Sequence, residues 1–291
     1  QGISHDYSGD LVNKLIERLP FEPTNAQSKA IAEIFQDLRA SYPMHRLLQG
    51  DVGSGKTLVA IEALLSVVEA GKQGSIMAPT EVLAEQHFVS AKELLGSFIL
   101  MDSTNLLGER KLNISLLTSQ TSEKDTKEIR AKLSRGEIDI IVGTHSLIQE
   151  SVEFADIGLA VVDEQHRFGV DQRAALQNKG NSKAIPDLLV MTATPIPRTA
   201  AMTVYGDLDV SILNELPEGR IPIDTKRVTD AQELWEEVNR QIMLGRQVFI
   251  VCPLIDESEN IDTTSAEVTY HRLNAVSYTH LRAHETKANL V

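Results

Sequence analysis

Leu47-Leu-Gln-Gly-Asp-Val-Gly-Ser-Gly-Lys-Thr57 decides the architecture of this 291-residue chain. Gly50, Gly55, Lys56 and Thr57 satisfy the phosphate-loop pattern G-x-x-x-x-G-K-[ST], with Leu47-Leu48 as strand before it and Leu58 to Val68 as helix after it. Glycines let the backbone curl, so that the N–H groups of Asp51, Val52, Gly53, Ser54 and Gly55 converge on an anion, and the helix start near Thr57 adds its positive end. Lys56 is suited to neutralise β- and γ-phosphates, and the Thr57 hydroxyl to ligate Mg2+. At average composition the pattern arises by chance in about one chain in a hundred of this length. The competing reading is a glycine-rich turn with no ligand.

Outward from this loop the same texture repeats. Short apolar runs at Arg46 to Gln49, Ser75 to Ala78, Ile114 to Thr118, Ile138 to Val142, Gly158 to Val162 and Leu188 to Met191 predict strands. Between them lie helical spacings such as Ala30, Ile31, Ile34, Phe35 and Leu38. Ser122 to Arg135 carries Glu123, Asp125 and Glu128 early and Lys132 and Arg135 late, the order a helix dipole favours. Such alternation predicts an α/β domain with a mostly parallel sheet covered on both faces.

Composition narrows the function. With 42% hydrophobic and 24% charged residues the chain is ordinary globular material. A formal charge of −13 excludes diffuse attraction to nucleic-acid phosphate, although a local site survives because distant charges are screened beyond about 8 Å. Aromatic residues at 4% argue against a base-stacking platform. The single Cys252 cannot form an internal disulfide, and its apolar run, Val248 to Cys252, predicts a buried thiol and a reducing compartment. No apolar run approaches the length of a membrane helix, and the chain, which starts without Met, is expected to be an internal fragment with no export signal. His280 and His284 are spaced as zinc ligands but stand in a tail of foreign texture. Neither Asn178-Lys179 nor Asn13-Lys14 continues into a guanine-recognition motif.

Leu159-Ala-Val-Val-Asp163-Glu164-Gln165-His166 is an apolar strand ending in two acids. Asp163 can hold magnesium and Glu164 can orient and deprotonate a water, although strand ends also carry acids as solvated turn residues. Three further polar clusters follow apolar runs: Ala78-Pro79-Thr80-Glu81, Gly143-Thr144-His145 and Thr192-Ala193-Thr194-Pro195. Each Thr or Pro alone reads equally as a cap or turn former. In a parallel sheet, however, all strand exits share one edge, so five clusters converge there. Helix N-termini and threonine hydroxyls can grip a phosphodiester backbone without much positive charge.

Together, Leu47 to Thr57, Ala78-Pro-Thr-Glu-Val-Leu-Ala-Glu-Gln-His87, Val142-Gly-Thr-His145, Asp163-Glu-Gln-His-Arg-Phe-Gly-Val170 and Met191-Thr-Ala-Thr-Pro-Ile-Pro-Arg198 resemble superfamily 2 helicases, most closely the RecG family of ATP-dependent DNA helicases. The transcription-repair coupling factor translocases are similar but usually carry a second acid where Gln165 stands. A nucleotide-gated DNA-binding module without turnover is the alternative from another class. The resemblance runs from about Phe21 to Tyr270 and implies a RecA-like three-layer P-loop fold. It implies adenine sensing by Phe21, Thr24 and Gln27, DNA-backbone contacts at Pro79, Thr80 and Thr144, and coupling of hydrolysis to domain movement through Thr192, Thr194 and Arg198. Lys56, Asp163, Glu164 and His166 form the implied catalytic set, with ATP and Mg2+ as cofactors. The implied partner is branched DNA, stalled forks and Holliday junctions, handled by a monomer in the bacterial cytoplasm.

The expected organisation is a linker helix region over 1–21, a first RecA-like domain over 22–213, a linker over 214–220 and the start of a second RecA-like domain over 221–274. In that second part, Ile223 to Val228 and Gln247 to Val251 predict strands around a helix from Ala231 to Leu244. Residues 275–291 resemble translated adapter sequence and are expected to be a non-native tail. The residues before Phe21 are too few for the wedge domain of the family, and the arginine finger of the second motor domain is expected outside the given chain. Such a chain is expected to bind Mg-ATP but hydrolyse it slowly.

Overall fold

A computed structural model of the chain describes residues 2–101, 108–149, 151–163, 185–194, 208–215, 224–252 and 268–271. The chain divides into two compact units, Gln1–Ile221 and Pro222–Val291. In the first, nine strands are defined among the described residues: β1 His45–Gly50, β2 Gln73–Met77, β3 Ile99–Met101, β4 Glu109–Lys111, β5 Ile114–Leu117, β6 Ile140–Gly143, β7 Ile157–Asp163, β8 Asp187–Thr192 and β9 Asp209–Leu213. Seven form one sheet in the order β5-β6-β2-β7-β8-β1-β9, every pairing parallel. The fold is therefore α/β, with the RecA-like layering that the resemblance implies. All six predicted strands of this unit form. Two features are not legible in the sequence: edge strand β9 and the antiparallel hairpin β3–β4.

Side chains alternate across the sheet, so consecutive residues serve two cores. Leu48, Ile140, Val161 and Leu189 pack on one face with helices α2 Asn25–Leu38, α3 Lys56–Glu69 and α4 Glu81–Leu95. Leu47, Ile141, Val162 and Leu188 pack on the other with Leu133 of α5 Glu123–Ser134, with Leu147 and with Phe154. Residues Leu58 to Val68 of α3 are all buried, and all but Glu62 and Ser66 are apolar, because α1 Asp10–Arg18 and α2 cover the flank that the sheet does not. Gly74 brings β2 against this helix, since a Cβ there would lie 2.4 Å from a Leu64 methyl.

The N-terminal stretch packs into the core of this unit. Tyr7, Leu11, Val12 and Leu15 are buried in the same core. His5 Nε2 meets Asp187 Oδ2 at 2.8 Å with both side chains fully covered, and Asp187 also accepts from the Met44 N–H at 2.6 Å. Burial raises the Asp187 carboxyl above its ordinary range.

In the second unit, helix α6 Ala231–Met243 forms, with Asp230 accepting from the Gln232 N–H as N-cap. The two strands predicted around it do not appear: Asp224 to Val228 and Gln247 to Cys252 run without ladder pairing among the described residues. An extended run becomes a strand only where a neighbour takes its N–H and C=O groups, and side chains bury only between layers. Phe249 and Val251 stand 85% and 91% exposed, and Cys252 is half-buried rather than enclosed. The expected tail at 275–291 lies outside the described residues.

Candidate nucleotide site

The loop after β1 has the curl that its glycines promised. Gly53 and Gly55 adopt φ of 78° and 88°, and Gly55 in this left-handed state is the N-cap from which α3 starts. Gly50 must lack a side chain too, because a Cβ there would lie 2.5 Å from Ser54 Oγ and 2.8 Å from Leu213 Cβ. Lys56 Nζ folds back over the loop, donating to the carbonyls of Gly50 at 2.7 Å and Asp51 at 3.1 Å. Asp51 and Val52 are exposed at the loop tip, Ser54 is buried, and Thr57 is half-buried. The arrangement is an open-mouthed nest of backbone donors at a helix N-terminus, which can take an anion.

Gln27 braces this loop from behind. Thr24 caps α2 by accepting from the Gln27 N–H at 3.2 Å, and Gln27 Oε1 accepts from the Thr24 N–H at 2.9 Å, a complete capping box. The same side chain turns its amide outward, and Nε2 donates to the Ser54 carbonyl at 2.8 Å. One glutamine therefore ends a helix and holds the phosphate loop. Phe21, three residues before the cap, leaves half its surface open.

The other strand exits arrive on the same rim. Asp163 is level with Met191, and Met191 with Leu48, so one strand separates Asp163 from the strand that carries the loop, about 10 Å at ordinary strand spacing. Asp163 shares the face of Leu159 and Val161, which is the face that α3 covers. There Asp163 Oδ2 meets His87 Nε2 of α4 at 2.6 Å, both residues 8% exposed. Pro79 and Thr80 are exposed at the exit of β2, where Thr80 also caps α4 by accepting from Leu83 N–H at 3.3 Å. Thr144 begins the short 3₁₀ turn after β6, His145–Ile148. At the end of β8, Thr192 is buried, and its hydroxyl accepts from the Thr194 N–H at 3.2 Å and lies 3.0 Å from the Thr194 hydroxyl. The half-buried Glu81 accepts through its carboxylate from Ser119 and Gln120 in the loop after β5, which holds it below the usual carboxylate range. Glu164, His166 and Arg198 lie outside the described residues. His87 closes the Ala78–His87 motif, yet its sequence position gives it no role; a histidine within a helical stripe is indistinguishable from a core filler until its partner is known.

The DEAD/DEAH box helicase family profile matches residues 24–203, more than half of the chain. The chain belongs to the DEAD/DEAH box helicase family. This family member is 46% identical over 278 residues to ATP-dependent DNA helicase RecG of Bacillus subtilis, covering 95% of the chain and 39% of that protein. It is 49% identical over 260 residues to the RecG of Synechocystis sp., covering 89% of the chain and 30% of the relative. A solved structure of RecG bound to a three-way DNA junction superposes with a TM-score of 0.76 at 41% identity, over 94% of this chain and 34% of that one. The chain thus spans between 30% and 39% of the length of these relatives.

In this DEAD/DEAH box family member the donors present suit a magnesium–nucleotide. The Thr57 hydroxyl and Asp163 carboxylate are hard oxygen donors, the type Mg2+ takes alongside phosphate oxygens. The glycines at 53 and 55 supply the left-handed backbone that the curl of the loop needs.

Proposed function

We propose that this chain is the nucleotide-binding motor part of an ATP-dependent DNA helicase of the RecG type, which uses ATP and Mg2+ to remodel branched DNA such as stalled forks and Holliday junctions. One observation carries the reading: the Lys56 loop and Asp163 share a rim and a face of the sheet, separated by β8 alone. In this reading the loop N–H groups and Lys56 hold the triphosphate, and Thr57 and Asp163 hold the cation. Glu164 orients the water, and His166 completes the catalytic set. A magnesium ion held there by Thr57 and Asp163 would supply charge neutralisation for the phosphates. Phe21, with Thr24 and Gln27 behind it, receives the adenine. Pro79, Thr80 and Thr144, on strand exits of the same rim, contact the DNA backbone through hydroxyls and helix starts, a grip compatible with a net charge of −13. Thr192, Thr194 and Arg198 couple hydrolysis to movement of the second motor domain, which begins after a linker at 214–220.

We further take the protein to act as a monomer in the bacterial cytoplasm. The relatives named above are bacterial, and no helix among the described residues is long and apolar enough to cross a membrane.

The test begins with thermal unfolding. Mg-ATP at 100 times its Kd stabilises the folded chain by about 2.7 kcal/mol, and Lys56→Ala removes the shift. A chain whose melting ignores Mg-ATP refutes the reading. In a full-length relative, branched DNA raises ATP turnover, and the substitution matching Glu164→Gln abolishes turnover while sparing binding. Turnover indifferent to DNA leaves only a nucleotide-gated binding module.

A further inference from the structure

The helix after β2 carries a polar residue where its packing calls for an apolar one. Ala84, His87, Ala91 and Leu95 of α4 lie at spacings of three and four, and all four are buried, the two alanines and the leucine completely. A leucine would fill the same place with no need for a partner. His87 instead spans 76 residues of sequence to put Nε2 2.6 Å from Asp163 Oδ2, on the covered face of the sheet. An ionised carboxylate only accepts, so in this pair the imidazole donates through Nε2.

We propose that His87 is a positioning residue for the cation site: it fixes Asp163 Oδ2 so that Oδ1 is the oxygen presented to the nucleotide-bound metal. The physical reason lies in the rotamer. A carboxylate at a strand exit has a broad terminal torsion and two equivalent oxygens, and nothing in β7 itself selects between them. An imidazole anchored in a close-packed helix removes that freedom before the cation arrives. Hydrogen-bonded partners of ligating carboxylates typically contribute 10- to 100-fold to metal affinity.

The inference rests on the proposed ATP–magnesium function, and the experiment separates the two. Mn2+ is titrated, with electron paramagnetic resonance detection of free ion, into the chain saturated with a non-hydrolysable ATP analogue. The wild-type chain, His87→Leu, His87→Gln and Asp163→Asn are compared, each checked for folding by circular dichroism. Leucine suits the apolar stripe, and glutamine restores a nitrogen donor near the Nε2 position. His87→Leu weakens Mn2+ binding about 10- to 100-fold while metal-free nucleotide binding in EDTA is unchanged, and His87→Gln recovers most of the loss. In the Asp163→Asn background, His87→Leu adds no further weakening. Wild-type Mn2+ affinity in a folded His87→Leu chain, or a His87→Gln chain as weak as His87→Leu, overturns the inference. Absence of metal-dependent nucleotide binding in the wild-type chain overturns the proposed function itself, before any His87 variant is measured.

Discussion

Gly55→Ala, made alone and with Gln27→Ala, tests whether Gln27 holds the phosphate loop from behind. Gln27 makes two side-chain bonds, from the Thr24 N–H and to the Ser54 carbonyl, at 2.9 and 2.8 Å. At about 1 kcal/mol each, Gln27→Ala costs about 2 kcal/mol. Gly55 sits at φ 88°, where a β-carbon costs about 1–2 kcal/mol. Its new Cβ would also lie 2.1 Å from Gln27 Nε2, so the glutamine must swing away and release Ser54. Gly55→Ala therefore costs about 2–3 kcal/mol, of which about 1 is the Ser54 bond already absent in Gln27→Ala. The double variant should then fall about 1 kcal/mol short of the sum of the singles. Urea unfolding of the four chains, followed by a probe in the first unit, measures this. Independent sites add within about 0.3–0.5 kcal/mol, so an additive cycle would mean that Gln27 does not contact the loop in solution, and the bracing argument fails.

Two further outcomes concern buried ionisable groups. Glu62, 3% exposed within α3, has its carboxyl pushed up from 4.5 to about 7 by burial. The folded chain keeps that proton between these values while the unfolded chain has lost it, so this contribution is full below pH 4.5 and disappears as pH rises through 7. A one-proton difference between the two states changes stability by about 1.36 kcal/mol for each pH unit crossed, or about 3 kcal/mol over the window, and Glu62→Gln should flatten the stability–pH curve there by this amount in chemical denaturation. His5→Ala leaves the fully covered Asp187 with only the Met44 N–H among the described residues, and should cost about 3 kcal/mol and speed hydrogen exchange of the first ten residues; unchanged exchange there would show that the N-terminal stretch is not anchored through this pair.

Legibility followed the range of each interaction. The phosphate loop could be read because its conformation is local: positive-φ glycines, a lysine and a helix start lie within eight residues. Five of the six predicted strands lie inside the sheet, and they could be read because a strand covered on both faces is largely apolar, as Ile140 to Val142 and Leu159 to Val162 are. Edge strand β9 is covered less evenly, with Asp209 and Ile212 exposed, and its sequence alone does not distinguish it from a turn. The strands predicted at Ile223 to Val228 and Gln247 to Val251 failed for the opposite reason. Apolar, β-branched composition reports a willingness to pair, while pairing itself needs a neighbour.

The residues thus carried the α/β class, the phosphate loop and the shared edge of five strand exits, because periodicity and parallel connection impose those on any chain with this pattern. Tertiary packing decided which side chains meet: Gln27 with Ser54, His87 with Asp163, His5 with Asp187. These partners are separated by 27, 76 and 182 residues, and no local rule of propensity or spacing reaches that far. Their encounter depends on strand order and on which face each helix covers, quantities that exist only once the sheet has formed.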